Sequence, residues 1–527
     1  MLRKPVDAAQ WGDKFRVTPD DLQYLSTVLV DREVPLPVDE LARVLMAHRW
    51  RQEQAAIEQA VSKGTLYRPK ARYEVGENVV FPAFDYRVGV VTGVREGRNP
   101  EYGAFRVIQV DFGDGAIREF ASELTVDHVL NDEADLPPVG SLPPGSADEL
   151  MGQYGEQVIR ALESSLEADE RFVRLAGKWF RRDLLVEINV GHLNLAEAVL
   201  DVAGGGPLPT EALLGDLELP EEITPQLRVF SLNYALQEDE RFDEVGPAGE
   251  VLWFLRRLEP EGVRTVPPPL EYTPIEYDHS VLTSEMLALE RELDDEWSDL
   301  QPPDDVQEPV VVVLTYPHWR AGTLPLSSRL SKVVPTGRTQ RIHFTWVDAD
   351  TGAEMPGWVV RKARYVFGLH ERYLKHEVPV GAYLEVMRGE RPGTVRVRRR
   401  ARRPRREWVR TARAGDGRFT FEMRPCLIAC EYDELMTIVE EDARALDQAR
   451  ARVAARRLSI SQLVAEIFPE LAKLSPQGTV HAATLYSAAN FAARTPPGPL
   501  LAQLATAGTY APMGDNYWVL RPPSTTL

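Results

Sequence analysis

Eight arginines fall in the eleven positions from Arg396 to Arg406, R-V-R-R-R-A-R-R-P-R-R. Guanidinium groups at this density suit charge-assisted hydrogen bonds to the oxygens of a polyanion. The run stands in an acidic chain. The 527 residues carry 61 Lys+Arg against 80 Asp+Glu, a formal net charge of −19. Between 310 and 413 there are 22 Lys+Arg against 8 Asp+Glu, or +14, so the remainder carries −33. Charge separated this sharply predicts one part that meets a polyanion and other parts that stay off it. The plain alternative is a solvated charge run or a basic tail. The run adjoins a strand-like segment, which favours a nucleic-acid surface.

Patterns that would carry catalysis are missing from the sequence. There is no G-x-x-x-x-G-K-[ST], and Gly204-Gly205-Gly206-Pro207 lacks the Lys and hydroxyl a phosphate loop needs. Neither H-E-x-x-H nor G-x-S-x-G occurs. Cys426 and Cys430 are the two cysteines. They have no second pair and no nearby His, so core filling is expected over a zinc site, and a disulfide scaffold is excluded. Asp348 and Asp350 resemble a metal pair, but D-A-D-T-G is a turn sequence in which Asp is expected for turn chemistry. The expectation is a non-enzyme with no cofactor and no metal.

The length predicts three to five domains. A hydrophobic content of 44% with 27% charged residues is globular. The opening M-L-R-K-P-V-D is polar, and no apolar run approaches the length of a membrane span. A cytoplasmic protein without membrane association is expected.

The elements that would position the arginines read as an α+β multidomain chain in which winged helix-turn-helix modules combine with small β-barrels. Residues 1–72 are expected to form a winged helix. Thr18-Pro19-Asp20-Asp21 caps a first helix, Pro35-Leu36-Pro37 precedes a second with Leu41, Val44 and Leu45 on one face, and a third runs from Gln52 to Ser62. Residues 73–128 switch to period two, with four short strands and a Gly113-Asp114-Gly115 turn between the last two, which predicts an SH3- or Tudor-like barrel. The V-G-E-N-V-V-F-P and V-G-V-V-T-G-V segments resemble the start of the CarD-type RNA-polymerase-interacting domain. A Pro/Gly-rich linker is expected at 129–149.

Residues 150–258 contain an internal echo. Asp169-Glu170-Arg171-Phe172 leads to Lys178-Trp179-Phe180, and Asp239-Glu240-Arg241-Phe242 leads to Trp253-Phe254-Leu255. The order resembles the HARE-type winged helix, also found in the RNA polymerase delta subunit. The matching positions are Pro207, Leu208, Leu213, Asp239, Arg241, Phe242 and Trp253, and in the first copy Asp169, Arg171, Phe172, Gly177 and Trp179. The resemblance implies a role in transcription or chromatin contact. The first copy lacks a nearby P-L-P start. Either its early helices diverge, or Pro35-Leu36-Pro37 belongs to it with the barrel inserted. The large aromatics are expected to be core.

Residues 259–309 are acidic and proline-rich and are expected to form a linker with one helix, which either keeps the chain soluble or folds over the basic segment. Residues 310–413 alternate in strands, with a short helix at Leu369–Glu377. Strand Thr394–Arg400 sets Arg396, Arg398 and Arg400 against Val395 and Val397, then leads into an exposed basic arm. The order, with G-T-L-P-L-S-S-R-L, a D-x-x-G turn and P-V-G-A-Y-L-E-V, resembles the plant-type pseudobarrel DNA-binding domain. That resemblance implies contact with duplex DNA through one open side. The residues that would touch it are Arg320, Ser327, Ser328, Arg329, Lys332, Arg338, Arg361, Lys362 and Arg364, joined by Arg396, Arg398, Arg399, Arg400, Arg402, Arg403, Arg405 and Arg406. Trp319, Trp346, Trp358 and Trp408 interleave with them and are expected in the core rather than as base-stacking platforms.

Residues 414–527 are expected to form a C-terminal winged helix. It would begin with an acidic helix, Glu431–Asp442, and carry a recognition helix with Thr484, Tyr486, Ser487, Asn490 and Arg494. The function expected is DNA binding in transcription or DNA organisation. The alternative is a protein-interaction scaffold whose acidic modules bind RNA polymerase or another protein, and a third is an unrecognised nuclease or defence component.

Overall fold

Thr18 starts the first helix, α1 (Pro19–Arg32): its hydroxyl accepts from the Asp21 N–H while the Asp21 carboxylate accepts from the Thr18 N–H at 2.7 Å. Such a reciprocal cap satisfies two of the backbone donors a helix start leaves open. A short strand, β1 (Leu36–Pro37), follows, and then α2 (Val38–Val61). The stretch expected as two helices has no Gly or Pro to interrupt it, and the helix runs through. The computed structural model describes residues 15–521 apart from 85, 127, 132–145, 176, 221–222, 302–305, 416–417 and 439–442. Most of the expected 129–149 linker lies outside the described residues. The α+β chain divides into two compact units, residues 1–188 with 219–234, and residues 189–218 with 235–527.

In the first unit, β2 (Thr65–Leu66), β3 (Asn78–Phe81), β4 (Arg87–Glu96), β5 (Arg106–Asp111) and β6 (Ile117–Ser122) form a five-stranded sheet in that order. The fifth strand, beyond the four expected, is β2, which lies parallel to β3. Tyr67, Tyr73, Val79, Phe81, Val91, Ile108 and Val110 fill its core. Gly113 and Gly115 take φ of 76° and 78° in the β5–β6 turn, a conformation that suits glycine. The chain then returns to the first helices through α3 (Ser146–Glu167), β7 (Phe172–Leu175) and β8 (Lys178–Arg181). β1 pairs with β8, Leu36 opposite Trp179. Of the two arrangements left open for the first copy, the Pro35-Leu36-Pro37 start therefore belongs to it, with the small sheet inserted between α2 and α3.

The second unit opens with a matching set: α4 (Val190–Val202), β9 (Leu208–Pro209), α5 (Thr210–Leu214), α6 (Pro225–Glu238, whose first residues belong to the other unit), β10 (Phe242–Glu244) and β11 (Leu252–Leu255). Here Leu208 lies opposite Trp253. The D-E-R-F residues build the same turn in both copies. The Asp169 carboxylate accepts from the Arg171 N–H at 3.0 Å, and Asp239 from the Arg241 N–H at 2.9 Å. Arg241 then reaches Glu197 of α4 at 2.7 Å, tying the helix to the hairpin. Phe172, Trp179, Phe242 and Trp253 are buried, so truncating one to Ala costs about 3–5 kcal/mol.

After α7 (Glu261–Arg264), the acidic segment carries its expected helix, α8 (Ser284–Leu293). It is packed rather than a spacer: Val263, Leu270, Leu282, Met286 and Leu289 are core residues. A seven-stranded barrel-like sheet follows. It comprises β12 (Val310–Val313), β13 (Thr323–Pro325), β14 (Arg341–Asp348), β15 (Glu354–Val360), β16 (Tyr365–Phe367), β17 (Tyr383–Arg388) and β18 (Thr394–Arg399), in the order β12-β17-β18-β14-β15-β16-β13. Two short helices, α9 (Tyr316–Ala321) and α10 (His370–Lys375), interrupt it.

What was expected as a basic arm is instead a long ribbon, β19 (Ala401–Gly415) paired with β20 (Arg418–Cys430). Residues 431–438, expected as the start of an acidic helix, contain turns and isolated bridges, one from Tyr432 to Ala382 and one from Ile438 to Thr411. Residues 439–442 lie outside the described residues. The chain ends in α11 (Ala443–Arg456), α12 (Ile460–Ala472), β21 (Thr479–His481), α13 (Ala482–Ala492), α14 (Pro497–Thr506), β22 (Tyr510–Gly514) and β23 (Tyr517–Leu520). From α12 onward the helix–strand–helix–helix–hairpin order appears a third time, with Val480 opposite Trp518. Among the described residues no helix is long and apolar enough to cross a membrane.

Candidate nucleic-acid interface

Strand β18 alternates. Val395 and Val397 are buried in the sheet core, and Arg396 and Arg398 point away from it. Register sets Glu385 of β17 directly across from Arg398. Its carboxylate accepts from Arg398 Nε at 2.9 Å and from Arg400 Nε at 2.8 Å. The hydrogen bonds from Arg398 and then Arg400 hold the Glu385 carboxyl below its ordinary range. Arg396 faces Glu390 at 3.8 Å. Arg399 turns the other way and donates to the His376 carbonyl at 2.7 Å. Arg402 pairs with Glu407 at 2.5 Å and lies over the Tyr432 ring. The first part of the arginine run is thus engaged by the fold itself.

The second part is not. The β19–β20 register shifts between Ala401 and Arg405, so Arg402, Arg403 and Pro404 sit in an irregular stretch, a common device for re-aiming side chains. Arg403, Arg405 and Arg406 are exposed and have no ion-pair partner among the described residues. Beside them Trp408 is 69% exposed, as is Leu427, and Met423 and Pro425 are also exposed. Trp346 and Trp358 are buried and Trp319 is partly buried, as expected. Trp408 departs from that expectation because among the described residues no element covers this end of the ribbon. The signal was available in the alternation of R-E-W-V-R around buried Val409, but only once β19 is recognised as a strand.

The other expected contacts are divided. Arg320 donates to Asp447 of α11 at 2.6–3.2 Å. Ser327 and Ser328 donate to the Asp294 carboxylate at 2.6 and 2.9 Å, and Arg329 to the Arg291 carbonyl at 2.7 Å. Arg364 donates to the Glu296 carbonyl at 2.9 Å and stacks over Trp297. The acidic segment therefore folds over the basic sheet, one of the two roles weighed for it. Lys332, Arg338, Arg361 and Lys362 remain exposed, with Arg361 closing its loop on the Arg338 carbonyl at 2.9 Å.

That covering is anchored in the interior. Arg494 donates to Asp295 at 2.6 Å and to Glu296 at 3.1 Å, Tyr486 donates to Asp295 at 2.7 Å, and His318 meets Glu296 at 3.2 Å. Burial opposes the charge on Glu296, but Arg494 and His318 outweigh it and bring its carboxyl down to about 2. Removing one partner from a buried network of this kind leaves an uncompensated charge. The expected recognition helix is corrected by the same geometry. Thr484, Tyr486, Ser487, Asn490 and Arg494 are all buried, so their polar groups serve the interior and not a groove.

Asp348 answers the turn expectation. It accepts from the Asp350 N–H and the Thr351 hydroxyl at 3.1 Å each, and contacts Arg372 at 3.3 Å and His376 at 3.0 Å. Among the described residues no group of three His, Cys, Asp or Glu is placed to hold a metal ion. A cleft of about 240 Å³ lies between Asp294, Ser298, Ser328 and Arg329, and its charged and hydroxyl groups are largely spent on one another. In comparison with known proteins, no family model, no curated protein and no solved structure matches this chain.

Proposed function

We propose that the protein binds nucleic acid, duplex DNA in the first instance, through the exposed end of the β19–β20 ribbon, and that it acts without catalysis in transcription or DNA organisation. One observation carries this reading: Arg403, Arg405 and Arg406 stand exposed and without an acidic partner among the described residues, in a chain whose other parts are strongly acidic. Phosphate contacts of this type supply most sequence-independent affinity. Two features of the fold support it. The helix–strand–helix–helix–hairpin order recurs three times and resembles that of winged helices, and the seven-stranded sheet with its two short helices is compatible with the pseudobarrel resemblance drawn from the sequence. The exposed Lys332, Arg338, Arg361 and Lys362 provide a second basic group on that sheet.

The test is binding of a short fluorescent duplex to the full chain across a salt series. Three phosphate contacts predict a slope of about −2.7 in log K against log salt. Absence of binding at low salt rejects the reading.

A protein-contact role for the acidic modules is favoured by a separate observation. Helix α4 exposes Leu195 and Val202 on one face, with Val202 91% exposed. An uncovered apolar strip on an acidic module suits a protein partner, with RNA polymerase as the first to test. Replacing both residues by Glu should abolish copurification with polymerase subunits and leave DNA binding intact.

A further inference from the structure

The ribbon carries its apolar face unevenly. Register places Arg406 opposite Leu427, Trp408 opposite Pro425, Ala412 opposite Phe421 and Ala414 opposite Phe419, all on one face. Toward the hairpin turn this face is covered: Ala412, Phe419 and Phe421 belong to the core that includes Leu446, Val453 and Leu463 of α11 and α12. Toward the base, Trp408, Met423, Pro425 and Leu427 are bare.

What would cover them is constrained by the rim. Arg406 stands on the same face, opposite Leu427, with the exposed Arg403 and Arg405 beside it along the strand, and the nearest acid, Glu407, is taken by Arg402. Arg424 and Arg413 both pair with Glu422 farther along the ribbon. A second copy of the chain is disfavoured, because a two-fold contact would set the three arginines against themselves. A polyanion that also offers flat apolar surface fits both halves of the patch. A paired duplex supplies phosphates but hides its base faces in the stack. Unpaired bases expose a π-face, and every base has one.

We propose, resting on the nucleic-acid reading above, that this patch takes an unpaired base of a single-stranded or locally opened nucleic acid. Trp408 stacks the base, Leu427, Met423 and Pro425 cushion it, and Arg406 on the same face holds a flanking phosphate, with Arg403 and Arg405 meeting the strand farther along its backbone. One aromatic side chain gives one stacking site, for which alanine substitution costs about 1–3 kcal/mol, or about 5- to 150-fold in affinity.

The experiment uses the full chain and three fluorescent probes: a paired duplex, the same duplex with a single-stranded gap, and a ribonucleotide strand of the gap sequence. The expected result is tighter binding to the gapped than to the paired probe by at least about fivefold, a preference lost in Trp408→Ala and partly kept in Trp408→Phe. The ribonucleotide probe decides whether DNA or RNA is the source of the unpaired base. Trp408 is exposed, so both variants should melt with the parent chain. Equal affinity for gapped and paired probes, or a preference unchanged in Trp408→Ala, overturns the base-stacking role while leaving the DNA-binding reading standing. Displacement of the gapped probe by polyglutamate as readily as by unlabelled single strand overturns it in favour of an acidic protein partner. No binding to any probe at low salt overturns both.

Discussion

The arginine run divides after Arg402, which pairs with Glu407, and its two sides meet opposite fates. On the β18 side, Arg398 and Arg400 share Glu385, Arg396 faces Glu390, and Arg399 donates to a backbone carbonyl. On the β19 side, Arg403, Arg405 and Arg406 are exposed and have no ion-pair partner among the described residues. The residue type is the same; cross-strand register makes the difference. A β-strand delivers every second side chain to one face, and the neighbouring strand decides whether an acid waits there. Beyond Ala401 the register slips, and the ribbon offers those arginines no carboxylate.

The largest test of this contrast lies in the covered region. Arg494→Ala leaves Asp295 and Glu296 buried without their cation, so urea unfolding of the full chain should show a loss of about 3–5 kcal/mol. Next, the triple variant Arg403→Ala, Arg405→Ala, Arg406→Ala should lose about ten- to a hundredfold in duplex affinity at low salt and flatten the salt slope by about 2.7, with stability changed by less than about 0.5 kcal/mol. A large stability loss in that variant would mean that these side chains are structural after all.

An acid with too little cation gives the third test. Glu259 is buried beside Asp243, and both draw on Arg341, which sits 2.8 Å from Asp243 and 3.4 Å from Glu259. Burial, and then the Asp243 carboxyl, raise Glu259 from an ordinary 4.5 to about 8. The folded chain therefore holds this proton more tightly than the unfolded chain does. Its contribution is complete below pH 4.5 and is lost as the pH rises to about 8. The unfolding midpoint should fall across that interval, and Glu259→Gln should flatten the decline.

The smallest effect concerns Glu385. Glu385→Gln releases Arg398 and Arg400, so duplex affinity should rise a few-fold and the salt slope should steepen, at a stability cost of no more than about 1 kcal/mol. No gain in affinity would place the β18 face outside the contact.

Local patterns in the sequence were legible where neighbours decide them. The alternation of Val395 and Val397 with the arginines, the glycine turn at 113–115 and the Asp348 turn all appear as expected. Long-range pairings were not. Nothing near Leu36 announces Trp179 as its partner, and nothing in P-R-R-E-W announces a strand, since an arginine-rich stretch with a proline also suits a solvated arm. The acidic segment looked like a spacer because Asp295 and Glu296 are acids. Their partners Arg494 and His318 lie elsewhere in the sequence, and only the fold brings them together.

The pairing of β1 with β8 also has a consequence in time. Leu36 leaves the ribosome about 140 residues before Trp179, an interval of roughly 7–28 s at ordinary rates of synthesis. Throughout it the small sheet between them can complete itself while the three-stranded sheet around it cannot. The inserted module is thus placed to fold first, and the nascent chain must keep an apolar edge at Leu36 unclaimed until its partner arrives.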